Sequence, residues 1–405
     1  MTQQISPGTA EELREIVAWA AAEATPLEIL GAGSKRGYGR PVEAAVQVAL
    51  HGLRGIGLYE PAELVMTAKV GTPLAEIEAG LAESHQQLAF EPPDYGALLG
   101  GPPGRGTIGG AIACNLSGPR RIKAGAARDH LLGVQAVTGR GDAIKSGGRV
   151  VKNVTGYDLC KLFAGSFGTL VAMTEVTFKV LPAAAHESTL LVRAPSRAAG
   201  FAALRTAMNS ADDVAGAAYL PVAATVRSAV PAVAAGGVEV AALRLEGPAP
   251  SVRARAASLK TLLAAEGELD QLAPAQSAAL WREIRDVALL PRETPLWRVS
   301  APPAAGAPLL EALERELRIA WLADWAGGLL WLAVDGSDGA GAARIHAQVA
   351  TPGGHATLVR ASAELRAAVA VFQPQEPALA RLSARIKDSF DPKRILNRGR
   401  MYAHA

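Results

Sequence analysis

Residues 104–181 hold the side chains and spacings best suited to chemistry. Three glycine-rich runs lie there among short apolar segments: G-R-G-T-I-G-G-A-I-A-C-N, V-V-K-N-V-T-G-Y-D-L and F-A-G-S-F-G-T-L. Glycine lets backbone amides approach a ligand because no Cβ stands in the way. Residues 105–161 carry ten Lys or Arg against three Asp and no Glu. The chain's net charge is +3, so the positive charge is local to this stretch. A pinched, amide-rich, cationic surface suits a large anionic cofactor. A solvated basic face or a nucleic-acid patch would share the charge but not the interleaved glycines, and aromatics make up only 5% of the chain.

An upstream run, G-A-G-S-K-R-G from Gly31, belongs with these. A dinucleotide loop of the G-x-G-x-x-G type must run directly into a helix; here the third glycine comes one residue late, and Tyr38-Gly39-Arg40-Pro41 would break the helix. A Walker loop needs G-K-[S/T], which is absent from this run. What remains is a nest of successive amides with Ser34 and Lys35, able to hold a pyrophosphate or to act as a plain turn.

The elements that must position these loops follow from periodicity. Thr9-x-x-Glu12 predicts a capped helix to about residue 23. Strands are expected at 27–30, 46–50 and 64–70, and a helix from Pro73 to about 85. A helix should start at Thr107, with a hairpin over 131–138 and 143–146. In 170–180 the apolar residues alternate. Residues 182–186 suggest a linker. Beyond it, strand-like segments near 189–192, 240–245, 297–299, 329–334 and 356–360 alternate with helices near 196–210, 250–266, 275–287, 307–319 and 338–349. Two strand–helix–strand units on one sheet suit this pattern. A basic helix over 377–390 precedes D-P-K-R-I-L-N-R-G-R-M-Y.

Length favours two or three domains, and 49% hydrophobic residues suit a globular core. No uninterrupted apolar run is long enough for a membrane span, and the polar N-terminus lacks the order of a signal peptide. Cys114 and Cys160 are expected as free thiols in a reducing compartment. With no C-x-x-C, neither an iron–sulfur cluster nor a cysteine zinc site is expected.

The ordered motifs resemble FAD-linked oxidoreductases with the p-cresol methylhydroxylase/vanillyl-alcohol oxidase type of FAD domain. They are the strand-then-G-x-G-S loop, T-I-G-G-x-x-x-x-N, the hairpin, K-N-V-T-G-Y-D-L, G-S-x-G-T-L and the D-P-x-x-x-x-N-x-G-R close. Within that family the chain is most similar to the smaller flavin subunits of bacterial glycolate oxidases, strongly over 5–182.

The resemblance implies an α+β protein: a two-subdomain FAD-binding domain (1–182), an α/β cap domain with an antiparallel sheet (183–375), and a C-terminal helix and tail (376–405) returning to the FAD domain. It implies that Gly31, Ala32, Gly33, Ser34, Lys35 and Gly37 cradle the FAD pyrophosphate. Thr107, Gly109, Gly110 and Asn115 would lie along the ribityl and diphosphate, and Gly118, Arg128, Gly165, Gly168 and Val171 would line the rest of the flavin channel.

Three positions depart from the family pattern. Val171 replaces the glycine of G-T-L-G, Asn397-Arg398-Gly399 replaces N-P-G, and Gly33 stands where some relatives carry a flavin-linked histidine. The last implies non-covalent FAD.

The H-x-G-D-G-N-x-H metal motif of D-lactate dehydrogenase relatives is absent, so no metal is expected. No catalytic residue is assigned; His355 is the best single candidate base among the late histidines, beside a plain turn or strand-edge role. The tryptophans after 280 suit core or subunit interface. The resemblance implies a cytoplasmic FAD subunit that acts on a small 2-hydroxy acid, beside a larger catalytic flavoprotein subunit and an iron–sulfur subunit. Any contact with the inner membrane would come through those partners. A self-sufficient 2-hydroxy acid dehydrogenase and a non-catalytic flavin-binding assembly subunit are the alternatives.

Overall fold

The computed structural model describes residues 3–149 and 156–403. The K-N-V-T of the second glycine run and His404 fall outside them. The chain divides into two compact units.

The first unit comprises Met1–Ser117, Gly125–Ala183 and Pro374–Ala405. It opens with a parallel three-stranded sheet in which Val46–Ala49 lies between Gln3–Ile5 and Leu27–Leu30. The helix Ala10–Ala22 starts where Thr9 Oγ1 accepts the Glu12 N–H at 3.1 Å. The Glu12 carboxylate reaches back to the Gly8 N–H, one residue earlier than an ideal capping box requires.

A five-stranded antiparallel sheet follows, ordered Ile56–Glu60, Val65–Lys69, Val171–Lys179, Leu131–Thr138, Ala143–Gly147. The central strand Val171–Lys179 is buried on both faces, so its alternation marks two packed surfaces rather than one wet face. Phe90, Phe163, Phe178 and Leu13 are fully enclosed in this unit's core. Each such side chain contributes roughly 1.5–3 kcal/mol relative to exposure.

The C-terminal segment is fastened to this unit by a buried ion pair. Lys387 Nζ donates to Asp391 Oδ2 at 2.6 Å and to the carbonyls of Thr169 and Leu396. Asp391 in turn accepts the N–H groups of Ile395 and Leu396. Satisfying both partners this fully is what makes a buried pair tolerable.

The second unit, Gly118–Ala124 with Ala184–Gln373, is built on an eight-stranded antiparallel sheet. Its strand order is Glu268–Leu272, His186–Arg193, Val240–Gly247, Gly216–Leu220, Arg318–Asp324, Leu329–Asp335, Leu296–Ser300, His355–Arg360. The expected linker is short: Ala183 to Ala185 lie outside the strands, Pro182 ends a strand paired with Gln86–Gln87, and the next strand begins at His186. The helix expected over 307–319 stops at Glu316, and Arg318–Asp324 turns into the sheet.

Candidate functional site

The strand Leu27–Leu30 delivers the chain into the loop 31–37, and this loop walls three clefts. The first, open to solvent, spans about 720 Å³ between the loop, Thr107, Gly109, Gly110, Gly168 and Val171. The second, about 1140 Å³, runs past Gly31 to Gly33 toward His51, Arg54 and Arg105. The third, about 710 Å³, lies between the loop and Leu99, Gly101 and Pro102, with Gly37 in its wall. Clefts that share one loop suit an extended ligand with several chemical parts.

The loop offers such a ligand hydrogen-bond donors. Gly33 turns the backbone at φ +76°, a left-handed conformation that suits glycine. The main-chain N–H groups of Ala32, Gly33, Ser34 and Lys35 donate to no acceptor among the described residues. Four successive free amides form an anion nest. Arg36 is held aside by a two-pronged pair with Glu28, at 3.0 and 2.7 Å.

The Thr107 turn closes the opposite wall. Thr107 Oγ1 accepts the Gly110 N–H and caps the short helix Ile108–Ala113. Gly109 brings that helix against Val70; a Cβ there would lie 2.5 Å from Val70 Cβ and 2.8 Å from its carbonyl oxygen. This glycine is required for close approach of helix and strand.

Among the ionisable groups lining the first cleft are Lys35 and Cys114. Burial holds the Lys35 ammonium below its ordinary pKa, with Cys114 and Asp94 opposing the shift. Burial pushes the Cys114 thiol up, against the fields of Lys35 and Arg400. A diphosphate beside Lys35 would restore the ammonium's lost stabilisation, so the cradle fits FAD in shape, donors and charge.

Of the residues expected along the channel, Asn115, Gly118, Arg128 and Gly165 do not line these clefts. Asn115, at φ +48°, instead accepts the Arg128 N–H at 2.9 Å. The Gly165 N–H donates to the Ile112 carbonyl. Gly118 lies in the second unit, where its carbonyl accepts the Trp325 indole N–H at 3.0 Å.

The first cleft also gathers residues not assigned to the flavin channel from the sequence: Cys114, Phe167, Asn397 and Arg400. Asn397 accepts the Ile29 N–H and donates to the Phe167 carbonyl, both at 2.7 Å. Arg400 Nη2 donates to the Lys35 carbonyl at 3.0 Å. The D-P-x-x-x-x-N-x-G-R close held this information as a motif, but nothing local to it names its distant partners.

His355 lies in the second unit at the start of its strand. Its side chain keeps accessible surface, while the surrounding protein and then Arg298 and Arg121 hold its pKa below the ordinary imidazole value. Trp281, Trp297, Trp321 and Trp325 all place their indole N–H on a protein acceptor, as packing residues do.

Fold and cradle define an FAD-binding oxidoreductase subunit, and comparison with known proteins agrees. Residues 2–147 match the family model described as an FAD binding domain. The fold is that of p-cresol methylhydroxylase with substrate bound, at TM-score 0.73 and 15% identity over 99% of this chain and 88% of that one. It is equally that of 4-ethylphenol oxidase from Gulosibacter chungangensis, at TM-score 0.74 and 15% identity over 99% and 89%.

Glycolate oxidase subunit GlcE of Escherichia coli (strain K12) is 35% identical over 97% of both chains. Glycolate oxidase subunit GlcD of Bacillus subtilis (strain 168) is 30% identical over 46% of this chain and 38% of its own length. The chain belongs to the GlcE family of FAD-binding subunits. Among the described residues, no helix is long and apolar enough to cross a membrane.

Proposed function

We propose that this chain is the FAD-binding subunit of a multi-subunit glycolate (2-hydroxy acid) oxidase. It acts beside a larger catalytic flavoprotein and an iron–sulfur subunit in the oxidation of glycolate to glyoxylate. The observation that carries this reading is the end-to-end match to GlcE, where GlcD matches less than half of the chain.

In this reading the free amides of Ala32 to Lys35 hold the diphosphate, and the Lys35 ammonium balances its charge. Thr107, Gly109 and Gly110 would border the ribityl and diphosphate, and Gly168 and Val171 would line the rest of the flavin channel. Bound FAD supplies a two-electron acceptor. The chain's own residues bind it, orient it and exclude water from the first cleft. Attachment is non-covalent at the loop, where Gly33 offers no side chain to bond.

The test is reconstitution. The chain is co-expressed with its larger flavoprotein and cysteine-rich partners, and glycolate-dependent dye reduction is compared with and without it. The reading predicts activity only in the full set. Full activity without this chain would overturn it, and dye reduction by this chain alone would favour a self-sufficient dehydrogenase.

A further inference from the structure

The eight-stranded sheet carries four polar side chains in a two-by-two block. Side chains alternate along a strand, so Arg298 and Ser300 of Leu296–Ser300 share a face. Their cross-strand neighbours in His355–Arg360 are Thr357 and His355. The alternate residues face the other way: Trp297 donates its indole N–H to the Ala340 carbonyl and meets the His346 ring edge-on. None of Arg298, Ser300, His355 and Thr357 makes a side-chain hydrogen bond or ion pair among the described residues. A half-buried guanidinium with five donors and no internal acceptor is unusual outside a binding site.

A second cation stands at the same place. The guanidinium carbons of Arg121 and Arg298 lie 4.4 and 5.0 Å from the ring centroid of Trp325. That indole is fixed at both ends: its ring N–H reaches the Gly118 carbonyl, and Asp324 Oδ1 accepts its main-chain N–H at 2.7 Å. Asp324 is an acidic group on this face, placed there through the pairings of Leu329 with Asp324 and Ser300. Cation–π contact holds each arginine over the ring, but two guanidiniums on one indole repel each other. An entering carboxylate relieves that repulsion and meets the planar donor geometry arginine presents. His355 stands beside both cations; burial first, and then their fields, lower its pKa, and a ring nitrogen of an imidazole can hydrogen-bond a hydroxyl group.

We propose that the two guanidiniums on Trp325, with Ser300, His355 and Thr357 beside them, bind a small 2-hydroxy carboxylate. Arg121 and Arg298 take the carboxylate, and His355 and Ser300 take the 2-hydroxyl. The choice of acid rests on the glycolate oxidase reading; the carboxylate site does not depend on flavin.

The test is a calorimetric titration of the purified full chain with glycolate, D-lactate and the uncharged analogue glycolamide. Flavin content is measured separately from the visible spectrum. Saturable binding of both acids and none of glycolamide is expected. Arg298→Met and Arg121→Met should each raise the Kd about tenfold or more, while Arg298→Lys, which keeps the charge and controls for folding, should retain binding. His355→Phe should weaken glycolate more than acetate, which has no hydroxyl group. No saturable binding, equal binding of glycolamide, or an unchanged Kd in a folded Arg298→Met would overturn the proposal. A chain that binds glycolate but takes up no flavin would leave this site standing and remove the FAD-subunit reading instead.

Discussion

Asn397 Nδ2 donates to the main-chain carbonyl of Phe167 at 2.7 Å, and Phe167 is held at φ +56°. A bulky residue in the left-handed region costs on the order of 1–3 kcal/mol and persists only where its surroundings enforce it. Asn397 helps enforce it from 230 residues away, while its Oδ1 fixes Ile29 at the mouth of the amide nest. Asn397→Ala is therefore expected to destabilise the chain by about 1–3 kcal/mol in urea unfolding. It should also lower the FAD retained after desalting. Unchanged stability together with unchanged FAD content would show that the tail does not build the cleft.

Gly109 and Gly110 are neighbours with different duties. A Cβ on Gly109 meets the Val70 side chain and backbone at 2.5–2.8 Å, whereas one on Gly110 meets the Lys35 ammonium and the Thr107 hydroxyl at 3.3 Å. Gly109→Ala must push the helix off its strand, at about 1–3 kcal/mol for overpacking, and should abolish FAD retention. Gly110→Ala should fold nearly normally. The comparison is read from thermal unfolding and bound flavin, and equal behaviour of the two variants would refute this division.

Much of the first unit was legible because its signals are local. Thr9 and Thr107 cap the helices they were expected to start, and the hairpin over 131–147 follows from its turn. The second unit was harder. Gly216–Leu220 is wholly buried, with two alanines among its five residues, so it shows neither alternation nor β-branched enrichment. Arg318–Asp324 was partly absorbed into the helix before it, since only Leu317 separates strand from helix. In the site, the glycine loops announced their chemistry by composition. The roles of Asn397 and Arg400 depend on contacts with residues more than 200 positions away, and the local motif that holds them does not name those partners. That Arg298 lies opposite Thr357 and Ser300 opposite His355 is a matter of strand register, which likewise appears only in the folded sheet.

Lys35 gives the cradle a pH dependence. Its folded pKa lies below the ordinary 10.5, so between the lowered value and 10.5 the unfolded chain binds more protons. In the flavin-free protein this lysine therefore makes stability rise with pH across that window. A bound diphosphate favours the ammonium and opposes the shift. FAD affinity should fall as pH rises through the same window, and Lys35→Met should bind more weakly with a flatter profile. Fluorescence titration of FAD at several alkaline pH values checks this; parallel profiles for wild type and variant would contradict it.

The two cysteines report on the cleft. Cys114 lines it, with partial exposure, while Cys160 is buried elsewhere in the same unit. Both thiols are pushed above their ordinary pKa by burial, so modification should be slow and favoured by alkaline pH. Maleimide is expected to label Cys114 in flavin-free protein and to be blocked by added FAD, with Cys160 unlabelled in both states. Mass spectrometry of the labelled peptides decides, and labelling of Cys114 that ignores FAD would place the cofactor elsewhere.

The most direct test of the central claim is the visible spectrum of the purified full chain before and after acid precipitation. A cradle of free amides around Gly33 predicts a yellow protein with equimolar flavin, all of it released as intact FAD into the supernatant. A colourless chain that takes up no FAD on reconstitution, or flavin that stays with the precipitated polypeptide, would contradict it.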